Sequence, residues 1–329
     1  MTKNTMTNNT MTNNKAMLIT KTHKLSSACG SIGAGISMGM IICVCLLIFL
    51  VIFHYGSGAI SWQFLISEPN ASAINTEAGG ILTPMLGTVI LTIIGILIAA
   101  PFALATSIYL TFYAKKGLFK TLVKSGVDIL SGVPTIVIAL FALVIFTQPY
   151  MAVFSAAIEG VEGANRAYGK SFLVAGITMA VMILPFVIKA MEESLKNVPQ
   201  SYIDGSYALG TDKWGTIRRV VLKSARDGLV TGTILGMGRI IGDTAIVWLT
   251  LGGTIRMTGN QPWYAMQNWW STLTNTGCTL TSYIYFTSPA GEGNHYTVAF
   301  GASLVLIAII IILNMAATLI GSIGETKND

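Results

Sequence analysis

Charged side chains are scarce in this sequence. Asp, Glu, Lys and Arg make up 10% of the 329 residues, whereas an ordinary soluble domain carries about 25%. Hydrophobic residues reach 53% and the mean hydropathy is +0.67, which together exclude a soluble domain and predict an integral membrane protein. The formal net charge of +6 does not indicate nucleic-acid binding, because the basic residues lie in separated loops and not in one phosphate-tracking patch.

Cysteine and histidine are also rare. The four cysteines include no CxxC pair and no disulfide framework, so the redox and zinc motifs built on such pairs are not expected. The three histidines are scattered near the predicted membrane boundaries. We therefore predict no metal site.

Long apolar runs, by contrast, are abundant. A helix needs about 20 residues to cross the roughly 30 Å hydrocarbon core of a bilayer, and six runs are long enough. They lack the alternation of β-barrel strands, so the predicted fold class is an all-α membrane protein, a polytopic bundle of about six transmembrane helices. The runs cover residues 32–54, 83–113, 130–153, 171–190, 228–251 and 296–321.

The polar ends and loops of the chain indicate its orientation. The opening MTKNTMTNNTMTNN repeats a Met-Thr-Asn theme without a hydrophobic period, which predicts a disordered N-terminal tail over residues 1–31. The run at 32–54 is longer than a signal-peptide core and has no small-residue cleavage site, so we expect a retained first span. Lys and Arg concentrate in the tail and in the connections after the second and fourth runs. Because cytoplasmic loops carry the excess of basic residues, both termini, including the tail 322–329, are predicted to be cytoplasmic in a multi-pass plasma-membrane protein.

The connection between the fourth and fifth runs is too long and too patterned for a simple hairpin. A short helix is predicted after Pro199, running through Ala208 and stopping at Gly210. Asp212 is predicted to cap a second, amphipathic segment. One interpretation is a pair of helices lying on an anionic membrane surface. The other is a docking element for a cytoplasmic partner, in which aromatic side chains such as Trp214 enter a groove.

The stretch GMGRIIGDTAIVWLTLGG, residues 236–253, carries two opposite charges inside an apolar run. An arginine at the bilayer centre costs about 2.5 to 3.5 kcal/mol on insertion scales, so Arg239 and Asp243 are expected to face protein or water. Their i,i+4 spacing predicts a direct pair on one helical face. The pair is either purely structural, or Arg239 is a path cation that binds an anion and is neutralised by Asp243 between turnovers.

Small and hydroxyl-bearing residues complete the candidates in the spans. Gly228, Gly232 and Gly236 recur at the spacing that lets membrane helices pack closely, and Gly238 and Gly242 repeat it on another face. We interpret all five as packing residues. Hydroxyl groups in spans more often bond to their own backbone than to a ligand. Those that an anion in the path can contact belong to Ser131, Thr135 and Thr244.

The long cytoplasmic connection resembles a known docking motif. The run Asp204-Gly205-Ser206-x-x-x-Gly210, followed by Val220-x-Leu222, resembles the coupling loop by which permeases of ABC importers dock on a nucleotide-binding subunit. SGVPTIVIALFALVIF from Ser131, MILPFVIKAMEESLKNVP from Met182 and GRIIGDTA from Gly238 resemble the permeases of phosphate importers, and among these the A-type subunit. The likeness covers residues 80–320.

This resemblance implies a type I ABC importer permease domain over residues 80–321, with Arg239 and Asp243 in the phosphate pathway. The chain would be one permease without enzyme activity or a cofactor of its own, because a separate subunit would hydrolyse ATP. The implied partners are a second, C-type permease, a cytoplasmic ATPase dimer, an external phosphate-binding protein and phosphate. The implied ATPase-coupling residues are Tyr202, Asp204, Gly205, Ser206, Ala208, Leu209, Gly210 and Trp214.

Three other functions remain open on the residues alone. A permease for another oxyanion would use the same path cation. An ion-coupled secondary transporter would use Asp243 as a proton relay and would not need the docking loop. A membrane scaffold or sensor would use that loop without a substrate path.

Overall fold

The computed structural model of the chain describes residues 3–69, 79–115, 117–155, 168–254, 257–263, 265–291 and 295–322, with side chains between residues 30 and 319. Within these ranges the chain is helical and has no β-strand, which confirms the predicted all-α class. The helices are α1 (Lys3–Gly56), α2 (Trp62–Ile66), α3 (Leu82–Ile108), α4 (Leu118–Gly132), α5 (Thr135–Phe146), α6 (Phe172–Lys196), α7 (Gln200–Ala208), α8 (Lys213–Thr216), α9 (Leu222–Ser224), α10 (Arg226–Gly242), α11 (Trp269–Thr274), α12 (Leu280–Thr287) and α13 (Tyr296–Ser322).

The chain divides into two units, Met1–His54 and Tyr55–Asp329. In the first unit, α1 includes most of residues 1–31, for which composition predicts disorder. The apolar segment Gly30–Ala59 is long enough to cross a membrane and has a mean hydropathy of 3.1. The predicted domain boundaries stay predictions.

Among the described residues, four segments are long and apolar enough to cross a membrane, or five if the bent pair α4 and α5 forms one span. Two of the six predicted runs, 130–153 and 228–251, are not single helices, because each contains a break. The four segments are Gly30–Ala59, Leu82–Tyr113, Phe172–Lys196 and Tyr296–Leu319.

The first break separates α4 from α5, which meet at an angle of 104°. Val133 is extended, with φ −72° and ψ 129°, because the residue before a proline is disfavoured in the α conformation. Pro134 then precedes the first turn of α5. The run 130–153, which hydrophobicity marks as one span, therefore contains only the end of α4 and then all of α5, an apolar helix of 12 residues.

The core of the second unit lies between α3, α6 and α10. Leu91, Ile183 and Ile240, one from each helix, are almost fully buried together. A Cβ atom added at Gly236 would lie 2.8 Å from Val187 Cγ2, and one added at Gly232 would lie 3.0 Å from Ala190 Cβ. Close packing through small residues is thus confirmed for this face of α10, where only glycine lets α6 approach so near.

The other glycine face of α10 is different. A Cβ atom added at Gly238 or Gly242 would meet no atom within 4 Å in the described part of the chain. No described atom of α6 therefore lies against these two glycines, and their packing role stays a prediction.

Candidate translocation site and docking element

Arg239 is held by two side chains of α6. It lies in the last turn of α10, where the negative end of the helix dipole favours a cation. Its guanidinium carbon lies 3.8 Å from the centroid of the Phe186 ring, and its Nε donates to Met182 Sδ at 3.0 Å. Phe186 and Met182 are four residues apart and so share one face of α6.

Arg239 and Asp243 do not form the predicted pair. Among the described residues, no carboxylate oxygen lies within 4.0 Å of an Arg239 nitrogen. The reason is that α10 ends at Gly242 and Asp243 is extended, with φ −81° and ψ 129°. An i,i+4 pair needs both residues on one continuous helix.

Asp243 instead caps the segment that follows it. Its Oδ1 accepts a hydrogen bond from Ile246 N at 2.8 Å, which is the geometry of a helix N-cap. The chain turns again from Thr244, whose carbonyl accepts from Trp248 N, and ends in a π-helical turn over Val247–Leu251. Thr281 Oγ1 lies 3.4 Å from the Asp243 carbonyl oxygen and donates to it. The carboxylate thus stabilises a break between two helical segments.

The predicted hydroxyl ligands are not gathered around Arg239. Ser131 Oγ donates to its own backbone, at Asp128 O, and accepts from Lys189 Nζ at 3.2 Å. Thr135 begins α5, and Thr244 follows the break after Asp243. Within the described residues, neither threonine hydroxyl is hydrogen-bonded to Arg239.

A charged seam between α4 and α6 was missed by sequence reasoning. Lys189 Nζ lies 2.8 Å from Asp128 Oδ1. Lys124 Nζ lies 3.1 Å and Lys196 Nζ lies 2.7 Å from Glu192 Oε1. The helical spacing of Lys189, Glu192 and Lys196 was the available signal for the α6 half, whereas their α4 partners are set by tertiary packing.

The long connection between α6 and α10 folds as predicted. α7 ends at Ala208, and Gly210 has a positive φ of 78°, which favours glycine after a helix. Asp212 Oδ1 accepts from Gly215 N at 3.2 Å and caps α8. The buried hydroxyls of Ser206 and Thr216 lie 3.0 Å apart and join α7 to α8.

The inner face of this element contacts the ends of two membrane helices. Ile203 of α7 and Ile217, which follows α8, pack in one cluster with Ile108 of α3 and Leu195 of α6. Lys213 donates to the Phe112 carbonyl oxygen in the π-helical turn that follows α3. The element is therefore tied to both α3 and α6.

The outer face of the same element exposes three large apolar or aromatic side chains. Leu209 is 88%, Tyr202 56% and Trp214 52% exposed. Of the eight predicted coupling residues, only Ser206 is buried. The exposed ones are Tyr202, Asp204, Gly205, Ala208, Leu209, Gly210 and Trp214.

A helical membrane bundle with such a folded connection between two of its helices is found in transporter subunits. Residues 100–325 match the family of binding-protein-dependent transport system inner membrane components, and the chain belongs to this family. It is similar to the phosphate transport system permease protein PstA 1 of Mycobacterium tuberculosis, with 31% identity over 255 residues, covering 76% of this chain and 73% of that protein. It is also similar to the phosphate transport system permease protein PstC of Xylella fastidiosa, with 31% identity over 188 residues, covering 54% and 58%.

Solved structures agree on the fold. A bacterial alginate ABC transporter in complex with its pentasaccharide-bound periplasmic protein matches with a TM-score of 0.57 at 15% identity, covering 88% of this chain and 94% of that chain. The methionine ABC transporter MetNI in an inward-facing conformation matches with a TM-score of 0.52 at 17% identity, covering 72% and 92%. These likenesses confirm the fold of a type I ABC importer permease.

Proposed function

We propose that this chain is the A-type permease subunit of an ATP-driven phosphate importer and that Arg239 contacts the anion in its path. The observation that carries the proposal is the position of Arg239, which the Phe186 ring and the Met182 sulfur hold with no described carboxylate oxygen within 4.0 Å of its nitrogens. The phosphate permeases among the relatives support phosphate as the substrate. The longer overlap with the A-type relative, 255 residues against 188, supports the A type.

The chemistry of the arginine suits a tetrahedral oxyanion. A guanidinium has five N–H donors, and Met182 takes only the one on Nε. The two terminal amino groups remain for charge-assisted, bidentate hydrogen bonds to phosphate. A sulfur atom is a weak acceptor, and a ring holds a cation without cancelling its charge. Arg239 is thus fixed in place while keeping its attraction for an anion.

Asp243 contributes a break in the helix beside that cation. Non-helical backbone at membrane depth is tolerated only where it is buried in protein or lines a water-filled cavity. The break begins four residues after Arg239 and is fixed by the Asp243 cap on Ile246. We assign Asp243 to the shape of the path, and Thr244, Ser131 and Thr135 to neutral hydroxyl contacts along it.

ATP hydrolysis is assigned to a cytoplasmic ATPase dimer that docks on α7 and α8, so this chain needs no cofactor. Leu209, Tyr202 and Trp214 supply exposed apolar contacts for a partner groove. The Ser206–Thr216 bond makes the two helices move together. Their buried face then passes the movement of the ATPases to α3 and α6.

The remaining parts of the importer follow from the same assignment. A second, C-type permease completes the path, and an external phosphate-binding protein delivers the anion. The basic loops support cytoplasmic termini in a multi-pass plasma-membrane protein. Membrane lipid surrounds the apolar helices.

The test is phosphate uptake by the reconstituted importer in proteoliposomes, with loaded binding protein outside and ATP inside. We expect uptake that needs ATP, is lost in Arg239→Ala and is partly kept in Arg239→Lys, which retains the charge but not the fork. Uptake driven by a proton gradient without ATP would identify a secondary carrier. Preferential uptake of sulfate or molybdate would identify a different oxyanion permease.

A further inference from the structure

We infer that Lys189, held by Asp128 and Ser131, is a second anion-binding cation of the translocation path, on the cytoplasmic side of Arg239. This inference rests on the proposed phosphate path. It adds a site one helical turn from the arginine contact and gives Asp128 the neutralising role that the sequence assigns to Asp243.

The two cations are related through α6. Arg239 stacks on Phe186 at 3.8 Å, and Lys189 lies three residues further along the same helix. Residues three apart are neighbours on one helical face, and they are about 4.5 Å apart along the axis. Phe186, which holds the guanidinium, and Lys189 therefore lie on the same side of α6, about one turn apart.

The position of Lys189 suits an anion that passes between the path and water. It lies seven residues before the end of α6 at Lys196 and at the end of the predicted apolar run 171–190. Near a helix end its ammonium group can reach the membrane interface. Its side chain is 47% exposed, and that of its partner Asp128 is 67% exposed, so the pair is placed where water and a soluble anion can reach it.

The contacts around Lys189 suit binding and release. Asp128 Oδ1 at 2.8 Å neutralises the lysine when the site is empty, and an arriving phosphate competes with it. Ser131 Oγ, 3.2 Å from Lys189 Nζ, can turn its hydroxyl from Asp128 O towards a phosphate oxygen. Two adjacent weak sites let an anion pass onward, which conduction requires.

A neighbouring ion pair shows what a purely structural clamp looks like in this protein. Glu192 is only 10% exposed and is held from two sides, by Lys124 and by Lys196. It fixes α4 to α6, because both lysines converge on one buried carboxylate that cannot give way to an anion. The Lys189–Asp128 pair differs in its carboxylate, which is 67% exposed and can leave the lysine when an anion arrives.

The test compares variants of the complete importer in the proteoliposome assay with inorganic phosphate. These are Lys189→Gln, Asp128→Asn and the exchanged pair Lys189→Asp with Asp128→Lys. The matched control, Lys196→Gln, removes a lysine from the same helix but leaves Glu192 paired with Lys124. Recovery of the assembled complex and its ATPase activity is measured for each variant.

We expect Lys189→Gln to lower uptake at least about tenfold, because hydrogen bonds to charged groups are worth more than neutral ones. The control should stay within about twofold, because an i,i+4 pair on one helix contributes little and Glu192 keeps its pair with Lys124. Asp128→Asn leaves the lysine unneutralised, so phosphate placed inside the vesicles should inhibit uptake at severalfold lower concentration. The exchanged pair should remain inactive.

Three results would overturn the inference. Recovery of uptake by the exchanged pair would show that Lys189 and Asp128 only clamp α4 to α6. Unchanged uptake by Lys189→Gln would show that no anion uses the lysine. If the Lys189→Gln importer does not assemble, Asp128→Asn decides the question. Inhibition of this variant by internal phosphate at the same concentration as for the unmodified importer would show that no anion uses the lysine. Failure of the proposed function is a separate result, since it appears as ATP-independent uptake or as full activity of Arg239→Ala.

Discussion

The guanidinium carbon of Arg239 lies 3.8 Å from the centroid of the Phe186 ring. This contact joins the last turn of α10 to the middle of α6, and Met182 holds Nε from one turn earlier. A π face attracts a cation without removing its charge. The position of the arginine and its affinity for an anion are therefore set by different groups, and substitutions can separate them.

Removing the ring should weaken transport without removing the cation. We expect Phe186→Leu to lower the initial rate of phosphate uptake roughly threefold to tenfold, because a cation–π contact contributes on the order of 1 kcal/mol. Phe186→Tyr should keep most of the rate, since it keeps a π face. The matched control is Phe141→Leu, which removes an exposed ring of α5. Equal rates for Phe186→Leu and the control would contradict the holding role.

Asp243 should behave as a helix cap. Asn caps a helix as well as Asp, whereas Ala costs about 1 kcal/mol. We expect Asp243→Asn to keep the thermal midpoint of the detergent-solubilised complex, and Asp243→Ala to lower it by about 2 to 4 °C. Uptake by Asp243→Asn should stay within about threefold of the unmodified importer on the same reasoning. A complete loss of uptake with an unchanged midpoint would instead make the charge of Asp243 essential.

The two glycine faces of α10 should respond differently to a methyl group. Gly236→Ala places a Cβ 2.8 Å from Val187 Cγ2, so it should lower the thermal midpoint of the purified chain. Gly238→Ala meets no described atom within 4 Å and should raise or preserve it, because alanine favours a helix by about 1 kcal/mol over glycine. The measurement is thermal unfolding of both variants side by side. The reverse order would contradict the assignment of the faces.

The exposed leucine of the docking element should be needed for ATPase recovery. Leu209→Asp puts a charge at a position that is 88% exposed, so the fold should survive while an apolar docking groove rejects it. We expect the ATPase to be lost from the purified complex. Leu118→Asp, at another exposed leucine on α4, is the control and should keep the ATPase bound. Retention of the ATPase by Leu209→Asp would show that the docking surface does not include Leu209.

Local signals in the sequence were sufficient to predict where the helices of the connection between α6 and α10 begin and end. Gly210 ends α7 because only glycine takes a positive φ without strain, and Asp212 caps α8 through a contact three residues away. Both effects act within a few residues of the chain. The same holds for Gly232 and Gly236, whose spacing alone identifies a close-packed face.

The geometry around Arg239 could not be predicted in the same way. Hydrophobicity continues across Asp243, so nothing in the run itself marks the end of α10, and the i,i+4 rule then predicts a pair that does not form. The partners that do hold Arg239, Phe186 and Met182, lie on another helix. Lys189 likewise depends on residues of α4 that only the folded chain brings near. Contacts between distant segments are set by packing and leave no local pattern.

The shortness of α5 has a consequence for how the chain crosses the membrane. Its 12 residues measure about 18 Å along the axis, well below the roughly 30 Å of a typical hydrocarbon core. α5 alone therefore does not extend from one side of such a core to the other. Either α4 completes the crossing, or the pair returns to the side from which it entered.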